Sequence, residues 1–156
     1  MSRRNISKKR FPNLDTKYDS YLVSLLIQRI LKSGKKTIAQ SIVNGAFEII
    51  KTRTKEDPLI IFEKAIRNAS PVVEVKARRI GGSTYQVPIE LSSFRATNLA
   101  LRWLIKNSRN RTGRTMSVKL ASEIIDTAND IGNTIKQKEQ THRMVEANKA
   151  FAHFRY

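Results

Sequence analysis

Apolar residues recur three and four positions apart along most of the chain, a spacing typical of amphipathic helices. With its start and stop signals, this periodicity predicts six helical segments, at about 21–32, 35–53, 58–70, 93–109, 115–131 and 133–148. Between 72 and 91 the apolar residues instead alternate with polar ones, as in strands. The pattern therefore predicts a mainly α fold, a five- to six-helix bundle with one protruding β-hairpin at about 72–91.

The predicted helix boundaries depend on capping residues and glycines. Asp57 followed by Pro58 is a strong start signal, because the carboxylate can accept a backbone N–H and proline suits the first helical position. Gly34 and Gly132 are expected to end the first and fifth helices. The first helix should lie centrally, since apolar residues cover most of its circumference.

The hairpin segment reads VVEVKARRIGGSTYQVPIEL and turns at Gly81–Gly82. Its first arm carries three basic residues, Lys76, Arg78 and Arg79. A lone two-stranded ribbon is barely stable in water, and strands can enter nucleic-acid grooves. A basic ribbon on a helical body is therefore a candidate nucleic-acid finger. Tyr85 is expected to pack the ribbon against that body.

The register of the hairpin depends on the length of its loop. A two-residue turn would place Lys76 opposite Val87. A three-residue loop would pair Ala77 with Val87 and Val75 with Ile89, which keeps one face apolar. We therefore expect the three-residue loop. It places on the outward face Glu74, Lys76 and Arg78 with Thr84, Gln86 and Pro88.

Composition adds a strong constraint, because the 156 residues carry a formal net charge of +17. So basic a chain is typical of nucleic-acid-binding domains, and a membrane surface is the weaker alternative because interfacial aromatic patterning is lacking. The chain has no cysteine, which excludes disulfides, thiolate chemistry and zinc fingers. We expect no cofactor, no metal, no membrane partner and no homo-oligomer.

The distribution of charge predicts the domain organisation. Residues 1–17 form a basic N-terminal arm that is expected to order on a polyanion. A single helical domain follows at 18–148, with the ribbon 72–91 inserted in it. The tail, 149–156, carries aromatic residues that could stack on RNA bases or anchor the tail to a neighbouring protein.

Two helices segregate opposite charges. Four basic residues share one face of the fourth helix, at steps of seven, four and three: Arg95, Arg102, Lys106 and Arg109. Three acidic residues share a face of the fifth helix: Glu123, Asp126 and Asp130. This segregation predicts one nucleic-acid-facing side and one outward or protein-facing side. Trp103 is expected to belong to the core.

No catalytic constellation is visible, so no enzyme activity is expected. The chain lacks a phosphate-binding GxxxxGK[ST] loop and a GxSxG elbow. Glu139 and His142 form one Glu-x-x-His pair, whereas a di-metal bundle needs two. Two other classes remain open on the residues alone: an architectural DNA-binding protein with a basic β-arm, and an RNA-processing enzyme.

Four segments carry a family resemblance: GKK at 34–36, VEVKARRIGGSTYQVPIE at 73–90, ALRW at 100–103 and HRMVEANKAFAHF at 142–154. Across its whole length the chain resembles the bacterial and organellar type of the small-subunit ribosomal protein seven family. The resemblance implies binding to the 3′ major domain of small-subunit rRNA, nucleation of head assembly, and a ribbon near the exit site beside mRNA and tRNA. It also implies a last helix near the platform and ribosomal protein eleven.

The candidate RNA-binding residues combine the basic segments with this resemblance. They are Arg3, Arg4, Lys8, Lys9, Arg10, Lys35, Lys36, Lys76, Arg78, Arg79, Arg95, Arg102, Arg109, Arg111, Arg114 and Arg143. The frequent Ile, Asn and Lys, the ending AFAHFRY and an N-terminus unlike a transit peptide favour a plastid-encoded protein of the chloroplast ribosome. A bacterial cytoplasm is the alternative.

Overall fold

A computed structural model of the chain describes residues 12–155. The described part contains six α-helices, a two-stranded antiparallel sheet and a C-terminal 3₁₀ helix, so the predicted fold class is confirmed. The elements are α1 (Tyr21–Ile30), α2 (Lys36–Thr54), α3 (Pro58–Ala69), β1 (Val73–Ile80), β2 (Ser83–Glu90), α4 (Ser93–Asn110), α5 (Met116–Ala128), α6 (Asn133–Ala147) and the 3₁₀ helix (Lys149–Arg155). None of the helices in this range has the length and apolar character needed to cross a membrane.

Local signals explain where several helices begin and end. The Asp57 carboxylate accepts the Leu59 N–H at 3.0 Å, as the capping prediction requires. α5 ends at Ala128, three residues before the predicted end at Ile131. Asp130 adopts a left-handed φ of 58°, and the Ile131 N–H turns back to the carbonyl of Asp126 at 2.8 Å. The chain therefore leaves the helical path before Gly132 is reached.

The core lies around α5, which packs against α2, α3 and α4. Leu120 and Ile124 of α5 are fully buried, and Phe47 and Phe62 pack at a ring-centroid distance of 5.6 Å. Trp103 is only 9% exposed, which confirms its assignment to the core. α1 contacts α2 and α4, so the cationic ends of these helices come together on one side of the body.

The expected hairpin register is wrong. A two-residue turn at Gly81–Gly82 pairs Lys76 with Val87 and Arg78 with Tyr85. Both glycines have positive φ, 56° and 89°, as required by the two-residue turns whose twist matches that of paired strands. The expected register followed from the matching of side chains across the strands, whereas the observed register follows from the geometry of the two-glycine turn.

The two faces of the hairpin consequently differ from those expected. Lys76 and Arg78 share a face with Val87 and Tyr85, and Val87 is fully buried. Long basic side chains can lie beside apolar ones because their aliphatic stems tolerate burial while the charged ends reach water. The two basic residues therefore do not occupy a purely polar outward face.

The hairpin is held by the C-terminal part of the chain. β1 packs against α6, and β2 packs against the 3₁₀ helix. The Tyr85 ring lies 5.4 Å from that of Phe151 and 5.2 Å from that of Phe154. Tyr85 was expected to pack the ribbon against the helical body, but its ring contacts are with the tail, so two tail aromatics hold the chain's own hairpin. Arg79, Ser83 and Thr84 are exposed at the tip.

Replacing Tyr85 with Ala should loosen the hairpin without unfolding the helices. The ring contacts two aromatic side chains, and each such pair contributes about 0.5–1.5 kcal/mol beyond area burial. We expect amide hydrogen exchange in β1 and β2 to accelerate about tenfold or more while exchange in α5 is unchanged. Gln86→Ala, on the exposed opposite face, is the matched control. Equal exchange in the two variants would contradict this account of how the hairpin is held.

Candidate nucleic-acid interface

Four basic side chains surround a shallow depression between α1 and α4. They form what we call the cationic cluster: Arg29, Arg102, Lys106 and Arg109. The depression has a volume of about 270 Å³, and Ile105 and Asn110 complete its lining. All four cluster residues are exposed, and within the described part of the chain none of the lining side chains is acidic. The arrangement suits a chain of phosphates.

Polar contacts orient two of the cluster's guanidinium groups without neutralising them. Arg29 Nη2 donates to Asn98 Oδ1 at 2.6 Å. Arg109 Nη2 lies 3.5 Å from the carbonyl oxygen of Ile30 at the end of α1. Arg29 was not among the sequence-based candidates, because it stands alone in the apolar sequence of α1. Only the packing of α1 on α4 brings it to the cluster.

Arg95 departs from the rest of the α4 stripe. Its Nε donates to Glu74 Oε1 at 2.6 Å and its Nη2 donates to Glu74 Oε2 at 3.0 Å, a bidentate pair between α4 and β1. The hydrogen bond to Glu74, followed by their mutual attraction, raises the pKa of Arg95. The charge of Arg95 is thus compensated at the base of the hairpin, whereas no carboxylate among residues 12–155 forms an ion pair with the other stripe members.

Arg111 lies in the connection between α4 and α5 and binds two carboxylates. Its Nε donates to Glu123 Oε2 and its Nη2 donates to Asp126 Oδ2. Burial alone lowers the pKa of Arg111, but the hydrogen bonds to Asp126 and Glu123 outweigh burial and raise it. Its charge is therefore engaged within the protein.

The prediction of an outward or protein-facing acidic side is wrong for Glu123, whose side chain is fully buried. Besides Arg111, Glu123 binds the first turn of α6: its Oε1 accepts the Thr134 N–H at 3.2 Å and also the Thr134 hydroxyl. In the sequence Glu123 is in helical phase with Asp126 and Asp130, which indicates one polar face for the three acids, but only Asp130 is exposed. The burial of Glu123 depends on Arg111 and on α6, and neither contact is visible in the sequence of α5.

The remaining candidates are dispersed. Lys35 lies beside the cluster, because it lines a second depression together with Arg109. Lys36 lines a separate depression with residues 12–16. Exposed candidates elsewhere are Lys76 and Arg79 on the hairpin, Arg114 after α4 and Arg143 on α6. Arg78 is partly buried on β1. Outside the described residues lie Arg3, Arg4, Lys8, Lys9 and Arg10.

The residues considered for metal binding or catalysis are not brought together in the described part of the chain. Between residues 12 and 155 there is no group of three or more His, Asp or Glu side chains placed to hold a metal ion. Glu139 is exposed on α6, and the partly buried His142 lies one turn further along the same helix. The site is thus defined by cations on a helical surface.

An uncompensated cationic surface on a helical body, together with a basic β-ribbon, is typical of nucleic-acid-binding proteins. Comparison with known proteins makes this class specific. Residues 2–149 match the family described as Ribosomal protein S7p/S5e, and the chain belongs to this family. Membership decides against the architectural DNA-binding alternative, and the family is one of ribosomal structural proteins and not of enzymes.

The curated relatives agree with the family assignment. The chain is 79% identical over 144 residues to the small ribosomal subunit protein uS7c of Trieres chinensis, covering 92% of this chain and 91% of that protein. It is 57% identical to the cyanobacterial uS7 proteins of Arthrospira platensis and Gloeothece citriformis, each over 156 residues and the full length of both chains. The two cyanobacterial relatives align along the full length of the chain, the hairpin included.

Replacing Arg111 with Ala should destabilise the fold, because it leaves a fully buried carboxylate without its counter-ion. We expect the free energy of unfolding to fall by about 3 kcal/mol, measured by urea denaturation. Arg111→Lys should recover only part of this loss, since lysine cannot bind both carboxylates through a planar fork. Arg114→Ala, an exposed arginine in the same connection, should change stability by no more than about 0.5 kcal/mol. Equal losses for Arg111→Ala and Arg114→Ala would contradict the structural role of Arg111.

Proposed function

We propose that the protein is a structural constituent of the small ribosomal subunit that binds the 3′ major domain of small-subunit rRNA and nucleates assembly of the head. The observation that carries this proposal is the cationic cluster of α1 and α4 in a chain of the S7p/S5e family. The names of the uS7 and uS7c relatives support the same role. Its partners are rRNA and neighbouring ribosomal proteins.

The proposed binding mechanism is electrostatic. The four cluster cations lie on helices of the folded body, so binding of phosphates to them does not require the ordering of a loop and its loss of conformational entropy. Arginine binds phosphate oxygens through two parallel N–H groups, and three of the four members are arginines. Each neutralised phosphate releases condensed counterions, which makes affinity depend strongly on salt. Lys35, which lines the neighbouring depression with Arg109, would extend the same surface.

We assign the hairpin a separate role near the exit site, beside mRNA and tRNA. Its base is fixed to the body by the Glu74–Arg95 pair and by the contact of Tyr85 with the 3₁₀ helix. The tip, 79–84, extends beyond these contacts and carries an exposed Arg79. A short tip with one exposed cation is a weak anchor, but it can meet a neighbouring RNA at a defined position.

The last helix and the tail would face the platform and its ribosomal protein eleven. Met144 on α6 is 45% exposed, which leaves an apolar contact for a neighbouring protein. Phe151 and Phe154 already pack against Tyr85, and this occupation favours a protein contact through α6 over stacking of these rings on RNA. For location we favour the plastid ribosome, because of the similarity to a uS7c protein, with the bacterial cytoplasm as the alternative.

Replacing both Arg102 and Lys106 with Ala should weaken binding to a transcript of the 3′ major domain. We expect the slope of log affinity against log salt to flatten by roughly 1.5, since each lost phosphate contact contributes about 0.7–0.9. Lys64→Ala with Arg67→Ala on α3 is the matched control, because it removes the same charge from two other exposed positions. Equal slopes in the two double variants would mean that only the total charge matters and that the cluster does not contact RNA.

Deleting the tip, 79–84, through a short glycine linker should separate the role of the hairpin from that of the body. The cluster, Tyr85 and the Glu74–Arg95 pair all remain, so we expect subunit incorporation to stay nearly intact. Retention of tRNA at the exit site or maintenance of the reading frame should be impaired. Substitution of the tip by a Gly/Ser segment of equal length distinguishes side chains from loop length. Loss of subunit yield with normal frameshifting in the surviving ribosomes would show that the tip is an assembly anchor.

A further inference from the structure

An apolar groove lies directly beside the cationic cluster, at the junction of α1, α2, α4 and α5. Its apolar lining consists of Ile30, Ile38, Ala39, Ile42 and Met116. Its volume is about 280 Å³, close to the roughly 300 Å³ at which small-ligand pockets begin. The groove is therefore large enough for one flat ring system and too small for an extended protein segment.

Ile38 is the residue that makes this groove unusual. It stands in the first turn of α2, directly after the exposed Lys36 and Thr37, and is itself 53% exposed. The adjacent Ala39 is almost completely buried, at 2%, so the helix already has its own core-facing side here. A large apolar side chain left on the other side contributes little to folding, and it offers a surface for an apolar partner.

The rim of the groove is cationic. Lys32, Lys35 and Arg109 line it, and within the described residues no acidic side chain does. Arg109 also belongs to the cationic cluster, so the groove and the cluster form one continuous surface. On its other side the groove adjoins a more open depression that shares Ile38 and Ile42 and adds three hydroxyl groups, from Thr37, Ser41 and Ser117.

We propose that this groove binds a single unstacked nucleobase of the RNA whose phosphates lie on the cationic cluster. The base would lie against Ile38 and Ile42, its flanking phosphates would meet Arg109 and Lys35, and the hydroxyls beyond would face its polar edge or ribose. RNA-binding proteins commonly stack splayed-out bases on aromatic rings or arginine planes. In this groove aliphatic side chains would provide the apolar surface in place of aromatic rings. This inference depends on the proposed rRNA-binding function and adds to it a contact that reads more than charge.

Charge complementarity favours an RNA base over a segment of a neighbouring protein. A peptide entering the groove would bring its own backbone and few negative charges to a rim of three cations. A nucleotide brings an apolar face and a phosphate together, which matches an apolar groove with a cationic rim. The protein-partner alternative becomes an outcome of the experiment below.

The test compares Ile38→Ala with Ile60→Ala, which truncates another exposed isoleucine, on α3, where it is 63% exposed. Affinity for a transcript of the 3′ major domain is measured at low and high potassium concentrations. We expect Ile38→Ala to weaken binding roughly fivefold at both concentrations, because it removes apolar contact and no charge. The salt slope should stay unchanged, unlike that of an Arg109→Ala variant. Ile60→Ala should bind as the unaltered protein does.

Base-specific chemical probing provides the second readout. One unpaired base should be protected by the unaltered protein and by Ile60→Ala, and should regain its reactivity with Ile38→Ala. Equal affinities for the two isoleucine variants, or no base whose protection depends on Ile38, would overturn the inference and leave the groove to a protein partner. If the unaltered protein still bound the transcript in a salt-dependent way in that case, the proposed rRNA-binding function would remain supported. Absence of any such binding would overturn both.

Discussion

The carboxylate of Glu123 is fully enclosed between α5 and α6, and a buried charge persists in a fold only where it is paired and hydrogen-bonded. Arg111 supplies the counter-charge, and Thr134 supplies a backbone N–H and a hydroxyl. The first turn of α6 also presents the positive end of its dipole to this carboxylate. These contacts fix the chain after α4 and the point at which α6 starts. β1 packs on α6 and the 3₁₀ helix follows it, so the position of the hairpin depends on the same carboxylate.

The distribution of the few acidic residues explains how so basic a chain folds and still presents an uncompensated surface. Three carboxylates each form an ion pair with an arginine from another part of the fold: Glu74, Glu123 and Asp126. The cations of the cluster receive no such partner within the described residues, and they repel one another across a shallow depression. This repulsion destabilises the free protein, and a bound polyanion relieves it. Folding and binding therefore depend on different arginines, although Arg95 and Arg111, which form the ion pairs, directly flank the cluster residues of α4 in the sequence.

Much of the fold could be predicted from the sequence because its signals are local. The Asp57–Pro58 start and the apolar periodicity of the helices require no knowledge of neighbours. The hairpin register failed because the two glycines set the loop length through their φ angles, while the prediction weighed which side chains would match. The grouping of the candidate site residues likewise depends on tertiary contacts that the sequence does not show. Arg29 joins the cluster only through helix packing, and Arg111 leaves it only because Glu123 is buried nearby.

The hairpin and the C-terminal segment are physically one unit, although the sequence presents them as an inserted ribbon and a separate tail. Tyr85 lies between Phe151 and Phe154, and the chain between these elements runs through α4, α5 and α6. A neighbouring protein that moved the 3₁₀ helix would therefore move β2. Conversely, an RNA that displaced the hairpin tip would strain the contact between β2 and the 3₁₀ helix. These three rings lie outside the hydrophobic core around α5. The hairpin also meets the helices through the packing of β1 on α6 and through the Glu74–Arg95 pair. Contacts proposed at the exit site and at the platform thus share one small apolar cluster, apart from the helical surface proposed to anchor the rRNA.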